Sequence, residues 1–327
     1  MLNILTLPAA TDMHVHLRDP GQTYKTDIRE GSSIAARSGI AAVACMPNTV
    51  PVIDTADKIV RLTDRMTREA ACEVLIVAAV TLGQRGEQLT DFAALKAAGA
   101  VAFSDDGLPI YDDTLMERAL IEAKHVGLPL IDHSEPEVAQ IERDIYLVEK
   151  TGCPIHIAHV SLADSLTLIR AAKAKGLPVT CEVAPHHFWF TQDIVAEIGG
   201  NARMAPPLAA QTDIDAVILA LQNGTIDAIA SDHAPHHAVE KARENPPNGI
   251  IGLETLWPAT LTALYFTGVL TMERIVDLLC HAPRRILNLP PQCQTIQIDL
   301  DETRMYQPMG RCTNTPFAGV ELRGWVV

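Results

Sequence analysis

The sequence lacks any paired cysteine motif. Its seven cysteines stand at 45, 72, 153, 181, 280, 293 and 312, an odd and scattered set with no C-x-x-C. That pattern points to reduced thiols and argues against a thiolate zinc site. No apolar run reaches the roughly 18 residues that a membrane helix needs. The stretch Met1–Ala10 has neither the basic start nor the long apolar run of a signal peptide, so a cytoplasmic protein is expected. Positive charge is scarce: 26 Lys and Arg stand against 40 Asp and Glu, a net charge of −14. This argues against nucleic acid and against an anionic membrane surface as partners. An anionic small molecule would therefore need its own local cationic pocket. No G-x-G-x-x-G follows an early strand, which removes the main sign of a dinucleotide-binding open sheet. Repeats and low-complexity tracts are absent, and the three tryptophans (Trp189, Trp257 and Trp325) are too dispersed to form a ligand cage.

What remains is a chain of 327 residues, 48% hydrophobic and 20% charged, able to bury a large core as one domain of the size usual for α/β barrels. Short apolar runs alternate with amphipathic stretches throughout. Expected strands are Asp12–Leu17, Ile40–Met46, Glu73–Leu82, Val101–Ser104, Pro129–Asp132, Pro154–Val160, Pro178–Val183 and Ala228–Asp232. Helical stretches lie between them, for example at Asp27–Arg37, Ala56–Arg68, Thr114–His125, Ala163–Lys175 and Asp213–Gln222. Gly39, Gly99, Gly127 and Gly176 each stand just before a strand, as helix-ending glycines do. Parallel strands require crossover helices, so eight such units predict a (β/α)8 TIM barrel. The barrel is expected over residues 1–290. A C-terminal extension over 291–327, opened by Pro290-Pro291, would hold one or two short strands outside it.

In such a barrel, chemistry sits at the C-terminal ends of the strands. The first strand ends in His14-Val15-His16-Leu17-Arg18. Residues i and i+2 of a strand share a face, so the two imidazoles project together and can chelate one metal ion. Arg18, just beyond, can hold an anionic group. The fourth strand ends in Asp105-Asp106-Gly107, the fifth in Asp132-His133, the sixth in His159 and the eighth in Ser231-Asp232-His233. Each alone has a plain structural explanation, such as a turn or a buried hydrogen-bonded histidine. Their coincidence at strand ends points instead to a metal centre of four His and one or two Asp. Imidazole and carboxylate without thiolate suit Zn2+, with Mn2+, Co2+ or Fe2+ as alternatives. Asp106 is placed to bridge two ions, and Asp232 to move the proton of an activated water. Cys181 and Glu182, neighbours on the seventh strand, point to opposite faces and are read as packing residues.

These residues resemble the amidohydrolase superfamily and, within it, the dihydroorotase family. The likeness rests on Asp12–Gly21, Met46-Pro47-Asn48-Thr49, Phe103–Gly107, Asp132-His133, His159-Val160-Ser161, Glu182–His187, Ala230–His236 and Gly252–Thr255. It implies reversible cyclisation of N-carbamoyl-L-aspartate to L-dihydroorotate in pyrimidine biosynthesis, with one or two zinc ions per chain. By this likeness His14 and His16 hold the first metal, and His133 and His159 the second. Asp232 binds metal and acts as general base and acid, passing the proton of the attacking water to the leaving nitrogen. Arg18, Asn48 and His236 grip the substrate, and Asn248 and Gly249 contact its ring. Many relatives bridge their metals with a carboxylated lysine; here Asp106 takes that place, and no carboxylated lysine is expected.

Two departures from the family pattern stand out. Ala205, in Ala205-Pro206-Pro207-Leu208-Ala209, replaces a substrate-contacting Asn, with Arg203 nearby as a compensating group. The small β-sandwich of the relatives is reduced to the tail or absent. The resemblance also implies a homodimer, and leaves open a contact with aspartate transcarbamoylase. Rival readings are a hydantoinase- or allantoinase-like cyclic amidohydrolase and a non-catalytic dihydroorotase-like scaffold for aspartate transcarbamoylase. The first usually bridges its metals with lysine and lacks the Arg18–Asn48 pair; the second would be expected to lose metal ligands, and this sequence keeps them.

Overall fold

The computed structural model describes residues 3–327. After β1 (Ile4–Pro8) come eight parallel strands: β2 (Ala10–Val15), β3 (Ile40–Cys45), β4 (Glu73–Ala78), β5 (Ala100–Phe103), β6 (Ile131–Asp132), β7 (Ile155–Ile157), β8 (Val179–Val183) and β9 (Ala228–Ile229). They form two arcs, β2-β3-β4-β5 and β6-β7-β8-β9. Parallel bridges Phe103–Leu130 and Val15–His233 join the arcs on both sides and close the barrel. The expected (β/α)8 architecture is the observed one.

Local sequence explains why helices alternate with these strands. Asp27, Asp91 and Asp112 accept backbone N–H groups at the starts of Ile28–Arg37, Phe92–Ala98 and Asp113–Val126, satisfying donors that the first turn leaves unpaired. Gly127 ends the last of these at φ 72° and turns the chain into β6, a conformation that a side chain would strain. The barrel centre is filled by small and medium side chains, among them Met13, Ala42, Ala44, Leu75, Val77, Ala102, Ile131 and Ala158. Outward-facing Val15, Val43, Ile76, Phe103, Ile157 and Val183 pack beneath the helices in the larger core. The filled lumen makes the barrel a rigid frame, and its polar residues are pushed to one rim.

Outside the barrel lies an antiparallel sheet of order β1-β10-β11, formed with β10 (Thr295–Met305) and β11 (Glu321–Val326). This three-stranded sheet is the reduced appendage. The tail strands were expected; the N-terminal partner Ile4–Pro8, paired with Thr295–Asp299, was not. Between β10 and β11 the chain returns to the barrel rim, where Tyr306 bonds Glu254 and Asn314 docks onto the loop after β9.

Candidate metal centre and substrate pocket

All six expected ligands meet at one point, delivered by the ends of five strands. Asp106 lies in the middle. Its Oδ1 faces His14 Nε2 at 3.2 Å, His133 Nδ1 at 3.4 Å and His159 Nε2 at 3.7 Å, and its Oδ2 faces His16 Nε2 at 3.4 Å. Asp232 Oδ1 completes the first triad, 3.3 Å from His16 Nε2 and 3.6 Å from His14 Nε2. Ligand atoms of His14, His16 and Asp232, and of His14, Asp106 and His159, lie within 4.8 Å of one another. Arg18, His159 and Asp232 adopt positive φ angles of 57°, 33° and 48°, backbone strain of the kind that clusters at functional sites.

The residues fit a divalent cation. His14 Nε2 and Asp106 Oδ1 are fully buried, and neither has an aligned hydrogen-bond partner, whereas buried polar atoms are normally satisfied. Burial opposes ionisation of Asp106 and Asp232, yet the surrounding histidines hold both carboxyls well below the usual carboxylate range. Burial likewise disfavours charge on His14 and His133, and Asp106 overcomes it to raise both. Ionised carboxylates and imidazoles thus hold one another where a cation, in place of the ring protons, would sit.

A further layer aims the ligands. His14 Nδ1 donates to Glu182 Oε1 at 2.8 Å, which turns the Nε2 lone pair toward the centre. Glu182 Oε2 lies 3.4 Å from His156 Nε2. Burial opposes the Glu182 charge, but its bonds to the two histidines bring the carboxyl down to about 2. The packing role read for Glu182 is therefore corrected: it faces the lumen and orients a ligand. The available signal was a lone carboxylate in an otherwise uncharged strand. Asn48 does the same for His16, accepting Nδ1–H at 2.8 Å while donating to Asp106 Oδ2 at 3.2 Å. Asp105 points elsewhere; it accepts from the N–H groups of Val80 and Thr81 and ties the end of β5 to that of β4.

Beside this centre opens a cavity of about 200 Å3. Arg18, Asn48, Ala205, His236, Asn248 and Gly249 line it, so all five expected substrate residues border one space. Arg203 is exposed and donates from Nε to Asn248 Oδ1 at 3.2 Å, which makes it a support for Asn248. Gly249 contributes a bare backbone. Its N–H is taken by Arg203 O, and its carbonyl by Lys241 Nζ at 2.8 Å and Asn314 Nδ2 at 3.0 Å. A Cβ there would stand 2.6 Å from that of Ala234 and 3.3 Å from His236 Cδ2. Lys241, buried and also bonded to the carbonyls of Arg203 and Pro247, and Asn314 were not foreseen, since nothing local marks a lysine or asparagine as a strut. His187 donates to Pro206 O and steadies the loop that carries Ala205. His186 and His187 supply no ligand atom to either metal triad.

Residues 4–138 match a protein family described as Dihydro-orotase-like. The dihydroorotase of Pelobacter propionicus is 42% identical over 361 residues, covering 98% of this chain and 85% of that one. That of Geotalea daltonii is 44% identical over 315 residues, 88% of this chain and 74% of that one. Among solved structures, the L-hydantoinase (dihydropyrimidinase) of Arthrobacter aurescens superposes with a TM-score of 0.91 at 23% identity, over 99% of this chain and 83% of that one. An inactive dihydroorotase-like domain of a Chaetomium thermophilum CAD-like multifunctional protein gives 0.78 at 21%, over 99% and 92%. At these identities the two structures speak for the fold alone.

Proposed function

Because the chain belongs to the dihydroorotase family, we propose that its strand-end cluster holds one or two zinc ions and that Arg18 and Asp232 divide binding and proton transfer. The protein is a hydrolase of cyclic amides, a dihydroorotase of pyrimidine biosynthesis. The observation that carries the assignment of the centre is Asp106, whose two oxygens face four imidazoles from three other strand ends. A carboxylate so placed can serve two ions at once. No lysine stands on β5, so the bridge is read as Asp106 without a carboxylated lysine.

Zinc bound there would polarise the ring amide carbonyl and bring the pKa of a water to about 7. The protein's own groups do the rest. Asp232, held ionised, takes the proton of the attacking water and returns it to the ring nitrogen as the C–N bond breaks. In cyclisation the same carboxylate runs the proton in reverse. Arg18, buried beside His236, offers a planar fork to the substrate carboxylate, which is how a protein of net charge −14 binds an anion. Asn48, His236, Asn248 and Gly249 border the ring. The barrel up to residue 290 carries this chemistry, and the tail closes the pocket wall through Asn314. A cytoplasmic homodimer accompanies this reading, with an aspartate transcarbamoylase contact as its extension; sedimentation with and without that enzyme tests both.

Dihydroorotate ring opening and carbamoyl-aspartate ring closure, measured on protein whose metal content is determined in the same sample, test the assignment. Turnover in both directions, lost on chelation and restored by zinc, is expected. Bound metal without turnover in either direction would refute it.

A further inference from the structure

One contact in the pocket is not balanced by its own members. His236 presents Nε2 to Arg18 Nη2 at 3.1 Å and Nδ1 to Lys25 Nζ at 3.1 Å. Both cations can only donate, whereas a neutral imidazole has one accepting nitrogen. One ring N–H must therefore face a donor. Lys25 is buried and does not line the cavity; it sits behind His236, with Glu240 Oε1 at 3.3 Å as its other partner. Glu240 Oε2, the acceptor that would favour hydrogen on Nδ1, is 3.7 Å away, beyond hydrogen-bond reach. The Arg18 side opens to the cavity, where an incoming group can change the balance. The ring backbone is fixed meanwhile, because His236 N–H donates to Asn314 Oδ1 at 3.0 Å.

We propose that Lys25 is a positioning residue for substrate recognition: by donating to Nδ1 it holds His236 as the Nε2–H tautomer. Nε2–H and the Arg18 guanidinium then stand side by side as two donors awaiting one shared acceptor. A carboxylate supplies that acceptor and relieves the donor–donor conflict, so the pocket selects cyclic amides bearing a carboxylate beside the ring. This rests on the proposed substrate, but the tautomer itself does not.

The test uses the zinc-loaded full chain. Long-range proton–nitrogen spectra of protein labelled at histidine, with His236 identified by signal loss in His236→Gln, are expected to show hydrogen on Nε2. Lys25→Met keeps the aliphatic stem and removes the donor. It is expected to change the His236 tautomer and to raise KM for dihydroorotate on the order of tenfold, with kcat within about threefold. Hydrogen on Nδ1 in the wild type would overturn the proposal, as would a Lys25→Met protein with unchanged tautomer and KM. If Lys25→Met does not fold, the wild-type spectrum alone decides. A wild type inactive on dihydroorotate would refute the functional reading, while the spectrum still judges Lys25.

Discussion

Replacing Glu182 by Gln separates the layer that aims the metal ligands from the ligands themselves. The carboxylate is buried, accepts from His14 Nδ1 at 2.8 Å and touches no substrate-facing surface. Glutamine keeps the shape and one accepting oxygen but removes the charge that makes His14 a stronger donor to a cation. Loss of such an outer partner typically weakens metal binding by about 10–100-fold, which is about 1.4–2.8 kcal/mol. The worth of a hydrogen bond to a charged group, about 1.5–3 kcal/mol, gives the same range by an independent route. Chelator competition on the purified variant reads this directly, without any activity measurement. The midpoint is expected to shift by at least tenfold while the far-ultraviolet spectrum stays native. At saturating zinc, KM for dihydroorotate should match the wild type, because Arg18 and His236 are untouched. A midpoint within twofold of the wild type would show that the Glu182–His14 bond does not tune the metal, and the argument from ligand orientation would be wrong.

Asp232→Asn keeps the shape of the metal site but cannot take a proton, so kcat should fall by about 10²–10⁴ with metal still bound; full activity would sink the proton-transfer role. Arg18→Lys retains charge but loses the fork, and KM should rise at least tenfold, roughly 1.4 kcal/mol, with a smaller change in kcat measured by steady-state kinetics. Asp12 bears on pH: burial pushes its carboxyl from 3.8 up to about 7. The folded chain therefore holds this proton where the unfolded chain has lost it, and stability falls as pH rises from about 4 to 7. Asp12→Asn removes that term, so its stability relative to wild type should climb across this window in denaturant titrations of the metal-free protein. A constant difference would refute the assignment.

The barrel and the gathering of His and Asp at one rim were legible because each of these residues ends an apolar run, and strand ends of a barrel converge whatever the rest of the chain does. Periodicity and closure brought His14, His16, Asp106, His133, His159 and Asp232 together, while their assignment as ligands came from the likeness to the family. Glu182 was misread because alternation along β8 separates it from Cys181 without saying which of the two faces the lumen. Both are buried, one among side chains beneath the helices and one above the barrel centre, and only the closed barrel distinguishes these surroundings. Lys25, Lys241 and Asn314 were invisible for a different reason. Lys25 and Asn314 act on groups far away in sequence, such as the 80 residues between Asn314 and Ala234, and Lys241 acts on backbone carbonyls, which no side-chain pattern marks. The strand Ile4–Pro8 failed for want of length, since five residues at a chain end carry too little pattern to name their partner.

The reach of Asn314 into the pocket wall divides the two tasks of the site along the chain. Asn314 bonds the backbone at Ala234, His236 and Gly249, so the wall that faces the substrate is fastened by a residue beyond the barrel. The candidate metal ligands all lie before residue 233 and need no such tie. Holding the ion thus falls to the rigid strand ends, while the grip on a substrate depends on how firmly the tail is docked. A loosened tail would leave a loaded centre with an open hand.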